Sequence, residues 1–226
     1  MKPYFRKVHL LKNAMNALIL GASGLVGGHC LDSILASPDY QNVIALTRRP
    51  LNRSSAKLIE QGFDGSDFSA FEPPVSIDHA FCAFGTTIKK AGSQHNMREI
   101  DVNIPFRLAQ RLKALGVSHF SLVSSLGADY ESNVFYNRIK GELEEDLKRL
   151  RFESLAIFRP SIIGGNRPGD TRTGEGWGQK IMAVLPKRWK TIPAEHIANA
   201  MVVRALEGFK GTATISSGKI WDLSTI

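Results

Sequence analysis

Two groups of residues in this chain have types and spacings that chemistry requires. The first is the turn Gly21-Ala-Ser-Gly24-Leu-Val-Gly27. Glycines at such a turn let a backbone come close to a pyrophosphate, or a helix close to a strand, where a side chain would intrude. The second is Tyr136 with Lys140, four residues apart and therefore on one helix face. A nearby ammonium favours the phenolate and lowers a tyrosine pKa from its reference of about 10. Such a tyrosine can give or take a proton while a carbonyl is reduced or an alcohol oxidised. Ser125 closes the preceding apolar segment, eleven residues before Tyr136, where its hydroxyl can hydrogen-bond a reacting oxygen. Read as a set, these residues point to hydride chemistry on a nicotinamide cofactor.

The elements that must position them are legible. Ala17-Leu-Ile-Leu20 is a short apolar run ending at Gly21, as expected of a strand buried on both faces. Over residues 24–36 apolar residues recur at helical spacing: Leu25, Val26, Leu31, Ile34 and Leu35. A strand–turn–helix of this kind offers free N–H groups and the positive end of a helix dipole to a phosphate. The glycine spacing is G-x-x-G-x-x-G rather than the common G-x-G-x-x-G. The next strand, Val43-Ile-Ala-Leu-Thr47, runs into Arg48-Arg49-Pro50. A site for NAD usually has a carboxylate here for the ribose 2′-hydroxyl, whereas arginine accommodates the 2′-phosphate of NADP. With two arginines and no acid, the expected cofactor is NADP(H), preferred over NAD(H).

Further strands are expected near 57–63, 78–83, 119–125 and 155–158, with a polar loop at 89–96. A helix follows, with Asn103 as its N-cap ahead of Ile104-Pro105, ending near Gly116, and another helix spans 133–151. Strands alternating with helices argue for one α/β domain, a Rossmann-type doubly wound parallel sheet over residues 15–226. The stretch after 164 is glycine-rich, then carries a helix around 194–207. It reads as a small C-terminal cap, with its substrate-side part at roughly 164–192. Trp177 and Trp189 fall there, as pocket lining or as cap core. His95 and His196 read as surface or cap residues.

At 226 residues the chain can form one domain with a sizeable core. Its 43% hydrophobic and 22% charged residues are ordinary for a globular protein, and no apolar run has the length of a membrane span. Cys30 and Cys82 lie inside apolar segments and read as reduced core thiols, with no metal framework and a cytoplasmic location. The net charge is +8, and Lys2, Arg6, Lys7 and Lys12 supply half of that excess. Residues 1–14 read as a basic extension outside the domain, or as the product of an upstream start codon. Elsewhere basic residues are scattered, so no specific nucleic-acid partner is expected.

The chain resembles the atypical short-chain dehydrogenases/reductases. The resemblance is carried by Gly21–Gly27, Leu46-Thr-Arg-Arg49, Cys82-Ala-Phe-Gly-Thr-Thr87, Asp101-Val-Asn103, Leu122-Val-Ser-Ser-Leu-Gly-Ala-Asp129, Tyr136 with Lys140-Gly-Glu, and Phe158-Arg-Pro160, which cover 16–165. The Gly-Thr-Thr, Ser-Ser-x-Gly-Ala-Asp and Lys-Gly-Glu pieces most resemble the branch containing the Tat-interacting protein. The resemblance implies that Ser23, Gly24, Leu25 and Val26 line the pyrophosphate turn with Gly21 and Gly27. Arg48 and Arg49 would meet the 2′-phosphate, and Phe84 and Gly85 the adenosine ribose. Lys140 would also hold the nicotinamide ribose, Ile162 would touch the nicotinamide end, and Arg167 or Arg172 would reach the cofactor or an anionic substrate. Asp64 is a weaker match for an adenine contact. The implied function is NADPH-dependent reduction of a small carbonyl by Ser125, Tyr136 and Lys140, with Ser125 preferred over Ser124. A cofactor-sensing regulatory or scaffold protein with an idle triad is the alternative. Dimerisation through helix faces is common in that superfamily, and nothing in these residues selects it.

Overall fold

A computed structural model describes residues 14–65, 67–165 and 191–224. The basic segment 1–13, Arg167, Arg172, Trp177, Trp189 and nearly all of the 164–192 cap lie outside the described residues. The main sheet uses β1 (Met15–Leu20), β2 (Tyr40–Thr47), β3 (Leu58–Gly62), β4 (His79–Cys82), β5 (His119–Val123), β6 (Ser154–Arg159) and β9 (Gly211–Ser216). Their order is β3-β2-β1-β4-β5-β6-β9, and every neighbouring pair is parallel. A separate short pair, β7 (Ile163–Gly164) with β8 (Ile192–Pro193), flanks residues 166–190.

Strand alternation sends side chains to two apolar layers. Ala17, Ile19, Val43, Ala45, Phe81 and Phe158 pack under α1 (Leu25–Ala36), α6 (Ala194–Leu206) and α7 (Ser217–Leu223). Leu18, Leu20, Ile44, Leu46, Leu122 and Ile157 pack under α4 (Ile104–Ala114) and α5 (Phe135–Arg149). Cys30 lies in the first layer and Cys82 in the second, so the sheet separates the two buried thiols.

Three local expectations need correction. The stretch 89–96 is not simply a polar loop: α2 (Ile88–Ala91) and α3 (Gln94–Arg98) are capped by Thr87 and Ser93, whose side chains accept from Lys90 N and Asn96 N. Asn103 is not an N-cap. It sits inside a continuous helical run with φ −67° and ψ −45°, and its amide donates to Glu99 Oε2 at 2.6 Å. Between α3 and α4 the run widens into one π-helical turn, Glu99–Asn103, in which Ile104 N bonds Glu99 O. Pro105 explains the widening, because in a regular α-helix its ring would collide with the carbonyl of Asp101 and it has no N–H to give. Finally, 211–223 adds strand β9 and helix α7 to the domain rather than to a cap; β9 is half polar (Gly-Thr-Ala-Thr-Ile-Ser), which hid it.

A polar chain crosses the N-terminal edge of the sheet. Tyr40 Oη lies 2.8 Å from His79 Nδ1, and His119 contacts Ser154 Oγ at 2.7 Å and Ser121 Oγ at 2.8 Å. Burial, then the nearby His79 and Arg204, push the His119 pKa down from 6.5 to about 3. A histidine that is harder to protonate folded than unfolded lends full stability above its unfolded pKa and loses it as pH falls below that value. Unfolding free energy should therefore decline between pH 6.5 and about 3, at no more than about 1.4 kcal/mol per pH unit from this residue. Denaturant titrations across that range should show a shallower decline in His119→Gln; an unchanged slope would count against this origin.

Candidate functional site

The strand order reverses direction between β1 and β4, and in doubly wound sheets ligands bind at the carboxyl ends of the strands beside that point. Here Gly21 leaves β1 with φ +97°, and a Cβ on it would lie 2.5 Å from Ala83 O. A Cβ on Gly27 would lie 2.0 Å from Gly21 O. Both positions therefore exclude any side chain, one by strand-to-strand crowding and the other by helix-to-turn crowding. The spacing reflects this packing. Gly24 opens α1 without a capping side chain, and no acid occupies the first turn. The first intrahelical bond is Gly28 N to Gly24 O, so the amides of Leu25, Val26 and Gly27 precede it. Val26 is buried in the core and can offer only its backbone, while Ser23 is exposed at the turn.

A cleft of about 500 Å³ opens beside this turn. Gly21, Ser23, Arg48, Arg49 and Phe84 line it, together with Leu46, Thr47, Pro50, Asn52 and Phe63. Five expected cofactor residues thus share one cleft. Both arginines are exposed, and Thr47 Oγ1 donates to Arg49 O at 2.5 Å, shaping the turn. Asn52 has φ +52°. Phe63 meets Phe84 edge to face. The aromatic wall was not foreseen, since Phe63 reads as the end of a strand. Asp64, exposed, follows it. The cleft's size, its uncapped helix N-terminus and its arginine rim fit a dinucleotide.

The expected acid–base residues lie just after β5 and on α5. Ser124 and Ser125 follow the last residue of β5. Ser124 is buried and donates to Glu144 Oε1 at 2.5 Å. Ser125 is half-buried, and its hydroxyl makes one 3.3 Å contact with Leu126 O. Tyr136 lies in the first turn of α5, 37% exposed, and Lys140 one turn later is 4% exposed. Lys140 Nζ is 5.8 Å from the Tyr136 ring centre. No hydrogen bond joins Ser125 to Tyr136 among the described residues. Ile162, beyond β6, is 62% exposed.

Two ion pairs, each with a fully buried carboxylate, hold α5. Lys140 Nζ meets Asp101 Oδ2 at 2.8 Å, with the acid 1% exposed. Burial alone would lower the lysine pKa, but Asp101 and then Tyr136 outweigh it and hold the value above 10.5. Glu144, fully buried, receives Arg159 Nε at 2.9 Å and Nη2 at 2.5 Å as well as Ser124. These hydrogen bonds raise the Arg159 pKa further, against partial burial. Gly141 is required on the same helix: a Cβ there would lie 2.2 Å from Tyr130 N, so the 129–130 loop could not lie against α5. Asp101, Glu144 and Arg159 were not assigned roles from sequence, although Asp101 and Arg159 stood inside the matching motifs.

No family model matches the chain. The Fmp52-1 protein of Aspergillus terreus, named as mitochondrial, is 34% identical over 219 residues, covering 91% of this chain and 93% of its own. Rat HTATIP2 is 32% identical over 194 residues, covering 83% and 79%. Among solved structures, a short-chain dehydrogenase of Burkholderia cenocepacia in complex with NADP superposes with a TM-score of 0.67, at 15% identity, over 95% of this chain and 92% of that one. MoeE5 in complex with UDP-glucose and NAD gives 0.68, at 16% identity, over 93% and 81%. The mitochondrial designation of the Fmp52 relatives overturns the expected cytoplasmic location, which rested only on reduced cysteines.

The Ser124–Glu144–Arg159 cluster makes an asymmetric prediction. Arg159→Met strands a fully buried carboxylate and should cost about 3–5 kcal/mol of stability. Glu144→Gln leaves a guanidinium that water can still reach and should cost less. Guanidinium unfolding curves of the two variants should differ in that order, and the reverse order would contradict the assigned geometry.

Proposed function

The chain belongs to the atypical short-chain dehydrogenase/reductase family, in the branch with the Fmp52 proteins and HTATIP2, and on that premise we propose that it is an NADPH-dependent reductase of a small carbonyl substrate. The observation that carries this reading is the buried Asp101–Lys140 pair beneath Tyr136, one strand end away from the dinucleotide cleft. A buried ammonium placed under a phenol has a use in proton transfer that a purely structural helix would not need.

In this mechanism the turn at Gly21 to Gly27 and the first amides of α1 hold the pyrophosphate. Arg48 and Arg49 clamp the 2′-phosphate, and Phe84 borders the adenosine. When bound, the nicotinamide supplies the hydride. Ser125 Oγ donates to the substrate oxygen and orients it. Tyr136 Oη gives that oxygen its proton, and Lys140 favours the phenolate left behind. Ser124 takes no part, since its hydroxyl is committed to Glu144.

One observation favours a second reading, a cofactor-sensing protein with an idle triad. Asp101 already neutralises Lys140, so the charge available to Tyr136 is reduced. Tyr136→Phe separates the two. The reductase should lose at least about 100-fold in turnover of NADPH with a panel of small aldehydes and ketones, while NADPH affinity changes little. A sensor shows no turnover to lose and keeps its NADPH affinity in both forms.

Cofactor preference has its own test. Titration followed by cofactor fluorescence should show NADPH binding at least about tenfold tighter than NADH, the difference expected for charge-assisted hydrogen bonds to a phosphate. Arg48→Ala/Arg49→Ala should erase that difference and leave NADH affinity nearly unchanged. Equal binding of both cofactors by the wild type would refute the preference.

A further inference from the structure

A π turn delivers an acid to Lys140. Asp101 is the sole residue of that turn whose carboxylate reaches both sides of the site. Its Oδ2 lies 2.8 Å from Lys140 Nζ, and its Oδ1 accepts from Thr86 N at 2.7 Å. Thr86 lies two residues after Phe84, which borders the cleft. A Cβ on Gly85 would lie 3.0 Å from Asp101 Oδ2, so any larger residue there would press on the carboxylate. We propose that Asp101 is a positioning residue, holding Lys140 charged and fixed beside Tyr136 and tying it to the 84–86 loop that borders the cofactor.

The titratable groups around Lys140 Nζ are Asp101 from the π turn, Tyr136 from its own helix and Cys82 from the end of β4. Burial favours the neutral amine, and a neutral neighbour such as an asparagine could hydrogen-bond the ammonium without repaying its lost hydration. A carboxylate is needed. Pro105 makes its delivery possible: the wide turn it enforces presents both Asp101 and Val102 to the interior while Met97 before it and Leu108 after it stay in the core. The catalytic meaning of this role rests on the carbonyl-reductase reading; the charge coupling does not.

The test is carbon NMR of the lysine ε-positions across pH in the full chain, with Lys140 assigned by its loss in Lys140→Arg. Wild-type Lys140 should remain charged past the ordinary value of 10.5. In Asp101→Asn its midpoint should fall by at least about one unit, a tenfold loss of proton affinity. A wild-type midpoint at or below the ordinary value overturns the proposal without any variant. Alongside it, NADPH affinity is measured by cofactor fluorescence between about pH 7 and pH 10, spanning the range in which a discharged lysine would register. Affinity should be flat for the wild type and fall about tenfold in Asp101→Asn as Lys140 discharges, with Asp101→Glu restoring much of it. Parallel profiles in wild type and Asp101→Asn, with a shifted Lys140 midpoint, would show a merely structural pair and overturn the positioning role. Failure of the wild type to bind NADPH overturns the reductase reading instead, and the lysine titration then decides alone whether Asp101 holds that charge.

Discussion

Two opposite charges, Lys140 and Glu144, sit one turn apart on the buried face of a single helix. Water cannot stabilise either, so each must find a partner inside the protein. Much of the site is arranged around that requirement. Lys140 draws its partner from the π turn before α4, and Glu144 draws its partners from the ends of β5 and β6. Ser124 is spent on Glu144, whereas among the described residues the hydroxyl of the adjacent Ser125 makes a long contact to Leu126 O. The two pairs together fix α5 against the carboxyl ends of the strands, where Tyr136 stands exposed on its first turn.

The half of the candidate site around the glycine turn obeys a different constraint, one of close packing. Gly21 and Gly27 are held by backbone within distances that no Cβ tolerates, and the same closeness brings the start of α1 over the strand end with its amides free. Asp101 is where the two halves meet, since one carboxylate touches both the loop after β4 and the lysine of α5. In the proposed mechanism this one buried side chain joins the cofactor loop to the proton-transfer helix.

Sequence revealed the parts that depend on local pattern. The apolar runs of β1 and β2, the glycine turn, the arginines after β2 and the i, i+4 pairing of Tyr136 with Lys140 are all local signals, and all are found in the expected elements. What it concealed depends on tertiary burial. Glu144 looks like one more surface acid in a Glu- and Lys-rich helix until Arg159 and Ser124 converge on it. His79 and His119 give no local sign of their polar chain. Asn103 before Ile104-Pro105 has the pattern of a helix start, yet packing of Met97 and Val102 carries the helix through, and the proline becomes a π turn instead. The exposed alternation of β9 was too polar to stand out as the edge strand of a parallel sheet.

The most direct test of the account is a crystal structure of the protein with NADP+ bound. The account predicts the pyrophosphate on the amides that open α1, the 2′-phosphate between Arg48 and Arg49, and the nicotinamide ribose on Lys140 with Asp101 still paired to it. A cofactor lying outside the cleft beside Gly21, or a Lys140 directed away from the nicotinamide end, would contradict it.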